Sequence, residues 1–138
     1  MTIKVFNYLP KEAKEIRETV FVKEQGFKKE FDEVDNLARH MIIYEEEQPI
    51  STCRFYFNEE KQSFIIGRIA VRKEYRGKGI GRKMLKEAED IIRQDGGKST
   101  MVSGQVRVEK FYEKLGYQKQ GEVFLDEDCP HIWMKKVL

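Results

Sequence analysis

Ile3 and Val5 alternate with polar neighbours, the two-residue period of a strand with one buried face. Pro10 then opens a run in which Ala13, Ile16, Arg17, Val20 and Phe21 recur at three- and four-residue spacings. That spacing predicts a helix, and proline suits its first turn because the N–H it lacks would be unpaired there anyway. Over residues 26–39 the period fails and acids accumulate, so a loop with at most one helical turn is expected. Three strands follow: residues 40–46, residues 50–57 after a Gln48-Pro49 turn, and residues 63–71 after the polar stretch 58–62. Ile80, Met84, Leu85, Ala88, Ile91 and Ile92 share one helical stripe, and Gly96-Gly97 marks its stop. Residues 98–103 read as a strand and 106–115 as a helix ended by Gly116. Residues 117–125 and 131–137 read as two closing strands joined by a turn at 126–130. The order strand, helix, three strands, helix, strand, helix, two strands predicts a mixed sheet with helices packed on it, an α/β or α+β fold.

With 138 residues and no linker composition, the chain is expected to be one domain, 1–138, large enough for an unstapled core. Its formal charge of +2 comes from interspersed positive and negative residues, which argues against a nucleic-acid partner. Locally the balance changes. Arg72, Lys73, Arg76, Lys78, Arg82 and Lys83 make a basic stretch, and Glu30, Asp32, Glu33 and Asp35 an acidic one. Cys53 and Cys129 have neither a partner spacing for metal ligation nor a disulfide framework, so no metal is expected and both read as reduced thiols. No signal peptide is recognisable, and no apolar run approaches the roughly 20 residues of a membrane helix. A cytoplasmic protein without a membrane partner is the expectation.

The chemistry concentrates where the third of those strands, 63–71, runs through a glycine-rich turn into the 80–92 helix. The first N–H groups of a helix carry partial positive charge and point outward together, which favours an anion. Glycines let the backbone approach a phosphate, and Arg76, Lys78, Arg82 and Lys83 add positive charge. The dinucleotide spacing GxGxxG fails because Arg82 stands at its third glycine, and no GxxxxGK[ST] loop is present. What remains is Arg-x-x-Gly-x-Gly, formed by Arg76, Gly79 and Gly81. A plain glycine turn without a ligand is the competing reading.

Val71-x4-Arg76-Gly77-x-Gly79-Ile80-Gly81 resembles the acetyl-CoA signature of the GNAT superfamily of N-acetyltransferases. Some thirty residues on, Phe111-Tyr112-Glu113-Lys114-Leu115-Gly116-Tyr117 is similar to that superfamily's closing motif. A weaker likeness to a small bacterial subgroup lies in Arg17, Val20-Phe21-Val22, Glu24-Gln25, Asp35, Ala38 and His40, and the tail from Gly121 to Met134 resembles that of GNAT enzymes that acetylate small amines or amino acids. The resemblance implies a mostly antiparallel sheet of six to seven strands, splayed at its centre. It implies acetyl-CoA as cosubstrate, with pantetheine along Ile69, Ala70 and Val71. The pyrophosphate would lie on Arg76, Gly77, Lys78, Gly79, Ile80, Gly81 and Arg82.

Acyl transfer to an amine also needs an oxyanion donor, a proton for the departing thiolate and a base. The resemblance places the Tyr112 hydroxyl by the sulfur, and a phenol of pKa ~10 is protonated at neutral pH. A core aromatic is the alternative for Tyr112. The backbone N–H of Val71 is the oxyanion candidate. His131 is the first candidate base, with His40, Glu24, Glu122 or water behind it. Arg54 and Arg68 lie in apolar strands and either pair with internal carboxylates or face the acceptor. The acidic 30–35 segment is expected to be a solvated loop. The function expected is N-acetylation of a small-molecule primary amine, with a homodimer admitted. A non-catalytic acyl-CoA sensor of the same fold and a phosphate-polymer binder are the alternatives.

Overall fold

The computed structural model describes residues 1–138. The strands are β1 (Thr2–Phe6), β2 (Arg39–Glu45), β3 (Gln48–Asn58), β4 (Ser63–Val71), β5 (Ser99–Gln105), β6 (Gln118–Asp126) and β7 (Cys129–Val137). They form a seven-stranded sheet in the order β1-β2-β3-β4-β5-β7-β6. β4 and β5 are parallel, whereas β1–β2, β2–β3, β5–β7 and β6–β7 are antiparallel. The helices are α1 (Lys11–Arg17), α2 (Ile80–Gln94) and α3 (Glu109–Lys114). The mixed sheet with helices is the architecture that the periodicities predict, and its seven strands, mostly antiparallel, agree with what the resemblance implies.

Local geometry departs from the sequence reading at four places, the first being that the helix expected over 106–115 is a 3₁₀ turn at Val106–Val108 followed by α3. The helix opened by Pro10 is α-helical only to Arg17 and continues as wider π turns over Glu18–Glu24. The β2–β3 reversal is made by Glu46 and Glu47, at φ 49° and 70°, and not by Gln48-Pro49. Two successive left-handed residues match the twist of a tight hairpin, and Pro49 sits at the strand start, beside a register shift at Ile43/Tyr44. Glu127 and Asp128 repeat that turn between β6 and β7, at φ 48° and 65°, so β7 begins two residues earlier than expected.

The chain divides into two compact units, Met1–Tyr56 with Ile66–Ala88, and Phe57–Ile65 with Glu89–Leu138. In the first, Ile16, Val20, Phe21 and Ala70 form one apolar cluster with Phe27 against it, and Ala13, Ile42 and Tyr44 another, with Phe6 and Leu9. Full burial of a Val, Ile or Phe side chain contributes about 1.5–3 kcal/mol.

Beside these clusters lies a buried ionic network. Arg17, 1% exposed, donates from Nε to Glu30 Oε2 at 2.8 Å and from Nη1 to Asp35 Oδ1 at 2.7 Å. Arg54 Nη1 donates to Asp32 Oδ1 at 2.6 Å and Asp35 Oδ1 at 2.9 Å. Arg68 Nε lies 3.1 Å from Glu30 Oε2. Both expected arginines therefore pair internally. The expectation of a solvated acidic loop holds for Asp32 and Glu33, which are exposed, and fails for Glu30 and Asp35, each only 4% exposed. Two buried guanidiniums, with the half-buried Arg68 beside them, need counter-charges, and this segment supplies them.

In the second unit, Tyr117 is buried, and its hydroxyl donates to Glu89 Oε2 at 2.8 Å and meets Thr100 Oγ1 at 2.7 Å. Lys136 Nζ bonds Glu89 Oε1 at 2.9 Å, so this buried carboxylate is also paired. Burial, with Glu89 alongside, drives the Tyr117 phenol well above its ordinary pKa.

Removing one partner of a buried pair strands the other. Arg17→Met is therefore expected to cost about 3–5 kcal/mol, read from urea unfolding, and an unchanged midpoint would contradict the network's role. Burial alone would raise the Asp35 carboxyl, but bonds from Arg17 and Arg54 outweigh it and hold it at about 2, against 3.8 ordinarily. A depressed pKa stabilises the fold above the unfolded value and loses that contribution on acidification. The stability gap between wild type and Asp35→Asn should thus stay constant above 3.8 and shrink as pH falls toward about 2; a widening gap would refute this.

Candidate active site

β4 ends in Ile69, Ala70 and Val71, directly after Arg68, which adopts φ 52° inside a strand. A bulky residue in the left-handed region is strained, and the Arg68 contacts to Glu30 and Asp32 hold it there. Ser51 Oγ donates to the Ala70 carbonyl at 2.9 Å, and Arg72 N–H to the Ile50 carbonyl at 2.9 Å. A trans peptide points its C=O and N–H in opposite directions, so the Ser51 bond aims the Val71 N–H away from Ser51. That is the group the oxyanion role requires.

A short 3₁₀ turn, Lys73–Tyr75, leads to Arg76, after which Gly77 and Gly79 both take φ 77°. An added Cβ at either would meet nothing within 4 Å, so glycine serves the backbone conformation here and not the space. The Lys83 N–H closes the first helical bond onto the Gly79 carbonyl at 3.0 Å. The amides of Ile80, Gly81 and Arg82 therefore lie ahead of the first intrahelical donor, at the positive end of the 15-residue α2. The first turn of α2 holds no acid, and Gly77, Lys78, Gly79 and Arg82 are exposed. Arg76 is occupied: Nε donates to the Val71 carbonyl at 2.9 Å and Nη2 to Glu24 Oε1 at 2.7 Å. Lys78 Nζ lies 5.5 Å from the Tyr75 ring centroid.

Tyr112, on α3, is half-buried, edge-on to Phe111 and Tyr117 with centroids at 5.2 and 6.0 Å. Its ring lies on Gly104 of β5, where a Cβ would stand 2.9 Å from Tyr112 Cε2. His131 is cross-strand from the next residue, Gln105. Its Nδ1 is 2.8 Å from the Cys129 carbonyl, and a carbonyl only accepts, so Nδ1 bears the proton and the neutral ring has its lone pair on Nε2. Phe124 stacks on the ring at 6.0 Å.

Residues 69–82 thus belong to the first unit, and Tyr112 and His131, both ordered by the end of β5, to the second. The other base candidates separate clearly. His40 is fully buried, its Nε2 2.9 Å from the Asp35 carbonyl, and burial lowers its pKa. Glu24 is ion-paired with Arg76, and Glu122 is exposed on the irregular stretch of β6. No group of three or more His, Cys, Asp or Glu is placed to hold a metal, and no helix is long and apolar enough to cross a membrane. Sequence reasoning missed Ser51 and Gly104. The strand expected over 98–103 runs on to Gln105, and only that places Gly104 inside it as a point of close approach; nothing local marks a buried serine as the partner of a carbonyl nineteen residues on.

Residues 7–138 match the family model of the acetyltransferase (GNAT) domain. A Bacillus subtilis (strain 168) protein named as an acetyltransferase is 36% identical over 129 residues, covering 90% of this chain and 86% of its own. The N-acetyltransferase YjcF of the same organism is 33% identical over 129 residues, 91% of each chain. The crystal structure of an N-acetyltransferase from Lactobacillus plantarum is similar with a TM-score of 0.90 at 29% identity, covering 99% of this chain and 97% of that one.

Because Gly79 is chosen for its left-handed backbone and not for room, Gly79→Ala should destabilise the fold by about 1–2 kcal/mol. Gly79→Asn should cost less, since asparagine tolerates that region. Equal unfolding midpoints for the two variants would contradict the assignment.

Proposed function

The chain belongs to the GNAT acetyltransferase family, and on that premise we propose that it transfers the acetyl group of acetyl-CoA to the primary amine of a small molecule. Residues 1–138 act as a single catalytic domain, in the cytoplasm, where its two unpaired thiols stay reduced. The observation that carries the reading is the α2 N-terminus, where two left-handed glycines present the amides of Ile80, Gly81 and Arg82 to an anion. In this reading the pyrophosphate of acetyl-CoA is bound by residues 76–82, with Lys78 and Arg82 adding charge-assisted contacts worth ~1.5–3 kcal/mol each. The pantetheine arm lies along Ile69, Ala70 and Val71.

The amine nitrogen attacks the thioester carbonyl carbon, and the new oxyanion takes the Val71 N–H, which the Ser51 bond has already oriented. An oriented donor stabilises charge without reorganising as the charge forms. The C–S bond then breaks, and the Tyr112 hydroxyl gives its proton to the leaving thiolate. Gly104 supports that role, because it lets the Tyr112 ring lie against the β5 backbone. His131 takes the amine's proton on Nε2, in keeping with the protonated Nδ1 that its bond to Cys129 imposes. Glu24 and His40 are not assigned this task, the one being committed to Arg76 and the other sealed from solvent.

Tyr112→Phe keeps the ring on Gly104 and removes only the donor. Assayed with acetyl-CoA and a panel of primary amines, the variant should retain coenzyme A affinity while kcat falls about 10²-fold or more. Turnover at the wild-type rate would remove Tyr112 from the mechanism, and no turnover by the wild type across the panel would count against the amine acceptor.

A further inference from the structure

Glu24 ends a segment whose geometry is unusual. Residues Glu18–Glu24 form π turns, wider than α turns and often found where a helix serves a function, and these redirect the end of the segment. There Glu24 Oε1 takes a 2.7 Å bond from Arg76 Nη2. The same guanidinium donates through Nε to the Val71 carbonyl at 2.9 Å. Arg76 thus spans the connection between the last residue of β4 and the first left-handed glycine, while Glu24 grips its outer edge.

Both ends of that bridge abut backbone with a proposed task. On one side is Val71, whose N–H is the oxyanion donor. On the other is Gly77, where the anion-binding turn begins. The pair is partly exposed, with side chains 43% and 29% accessible, and ion pairs of that kind add little to fold stability. A carboxylate beside an anion site would oppose binding if it stood alone; paired with Arg76, its charge is met and its geometry is what remains.

We infer that Glu24 is a positioning residue for acetyl-CoA: it holds the Arg76 guanidinium on the Val71 carbonyl and thereby fixes the 71–77 connection in its binding shape. Glu24 is then neither the base nor a mere surface charge. The inference rests on the acetyl-CoA reading above.

The experiment is a double-mutant cycle on Glu24→Ala and Arg76→Ala, read by calorimetric titration with coenzyme A, by acetyl-CoA kinetics and by thermal melts. Glu24→Ala should raise the coenzyme A Kd and the acetyl-CoA KM about three- to fivefold, with kcat and Tm nearly unchanged. In the Arg76→Ala background, where Glu24 stands unpaired beside the anion site, the same change should no longer raise the Kd and should leave it equal or lower. Glu24→Gln, which retains an acceptor oxygen for Arg76, should fall between wild type and Glu24→Ala. A drop in kcat with loss of the acid limb of the pH profile would make Glu24 the base and overturn the inference. Tighter coenzyme A binding or an unchanged Kd in the Glu24→Ala single variant, or an additive double mutant, would overturn it equally. A wild type that binds no coenzyme A would remove the acetyl-CoA reading itself, and this inference with it.

Discussion

A guanidinium taken out of water must meet carboxylates, and in this chain three of them impose that demand on one short segment. Arg17, Arg54 and Arg68 come from α1, β3 and β4, and Glu30, Asp32 and Asp35 answer them. The consequence reaches the site. Arg68 is held in a left-handed conformation one residue before Ile69, so the pairing that closes the 26–38 segment also sets how the end of β4 is presented. Burial in the apolar clusters contributes about 1.5–3 kcal/mol for each large side chain, whereas a buried ion pair costs most when one partner is removed.

From β4 onward, backbone polarity takes over from side-chain charge. The Ser51 bond to Ala70 and the Arg72 bond to Ile50 leave Val71 with a fixed peptide orientation. Gly77 and Gly79 then turn the chain so that α2 starts with its amides open and without a competing acid. The loop's positive side chains add to the partial positive charge that the helix start already supplies. On the other unit, Gly104 gives Tyr112 its seat and Gln105 pairs with His131, so consecutive residues of one strand order both proton-handling candidates.

What the sequence made legible was local. The order of elements, the stripe of α2 and the Arg76–Gly81 spacing are all written within a few turns of chain, and each predicts the structure directly. The Glu46-Glu47 turn was not legible, because glutamate carries no left-handed signal and Pro49 offered a stronger false one. Nor were the π turns of Glu18–Glu24, which rest on tertiary packing of Val20 and Phe21. The acidic segment was misread at Glu30 and Asp35 for a related reason. Its partners lie 13 to 22 residues away for the bonds from Arg17 and Arg54, and 36 to 38 for those from Arg68. Charge density in one window cannot reveal such pairing.

Backbone amides at the start of α2 are proposed to bind the pyrophosphate of coenzyme A, and amide-resolved NMR titration of the ¹⁵N-labelled chain with coenzyme A reads that binding group by group. Saturable shifts are expected, centred on Gly77, Lys78, Gly79, Ile80, Gly81 and Arg82, with Val71 moving when the pantetheine arm is present and staying still when pyrophosphate alone is added. Shifts that spare these amides, or that spread evenly over the lysines of the surface, would contradict it.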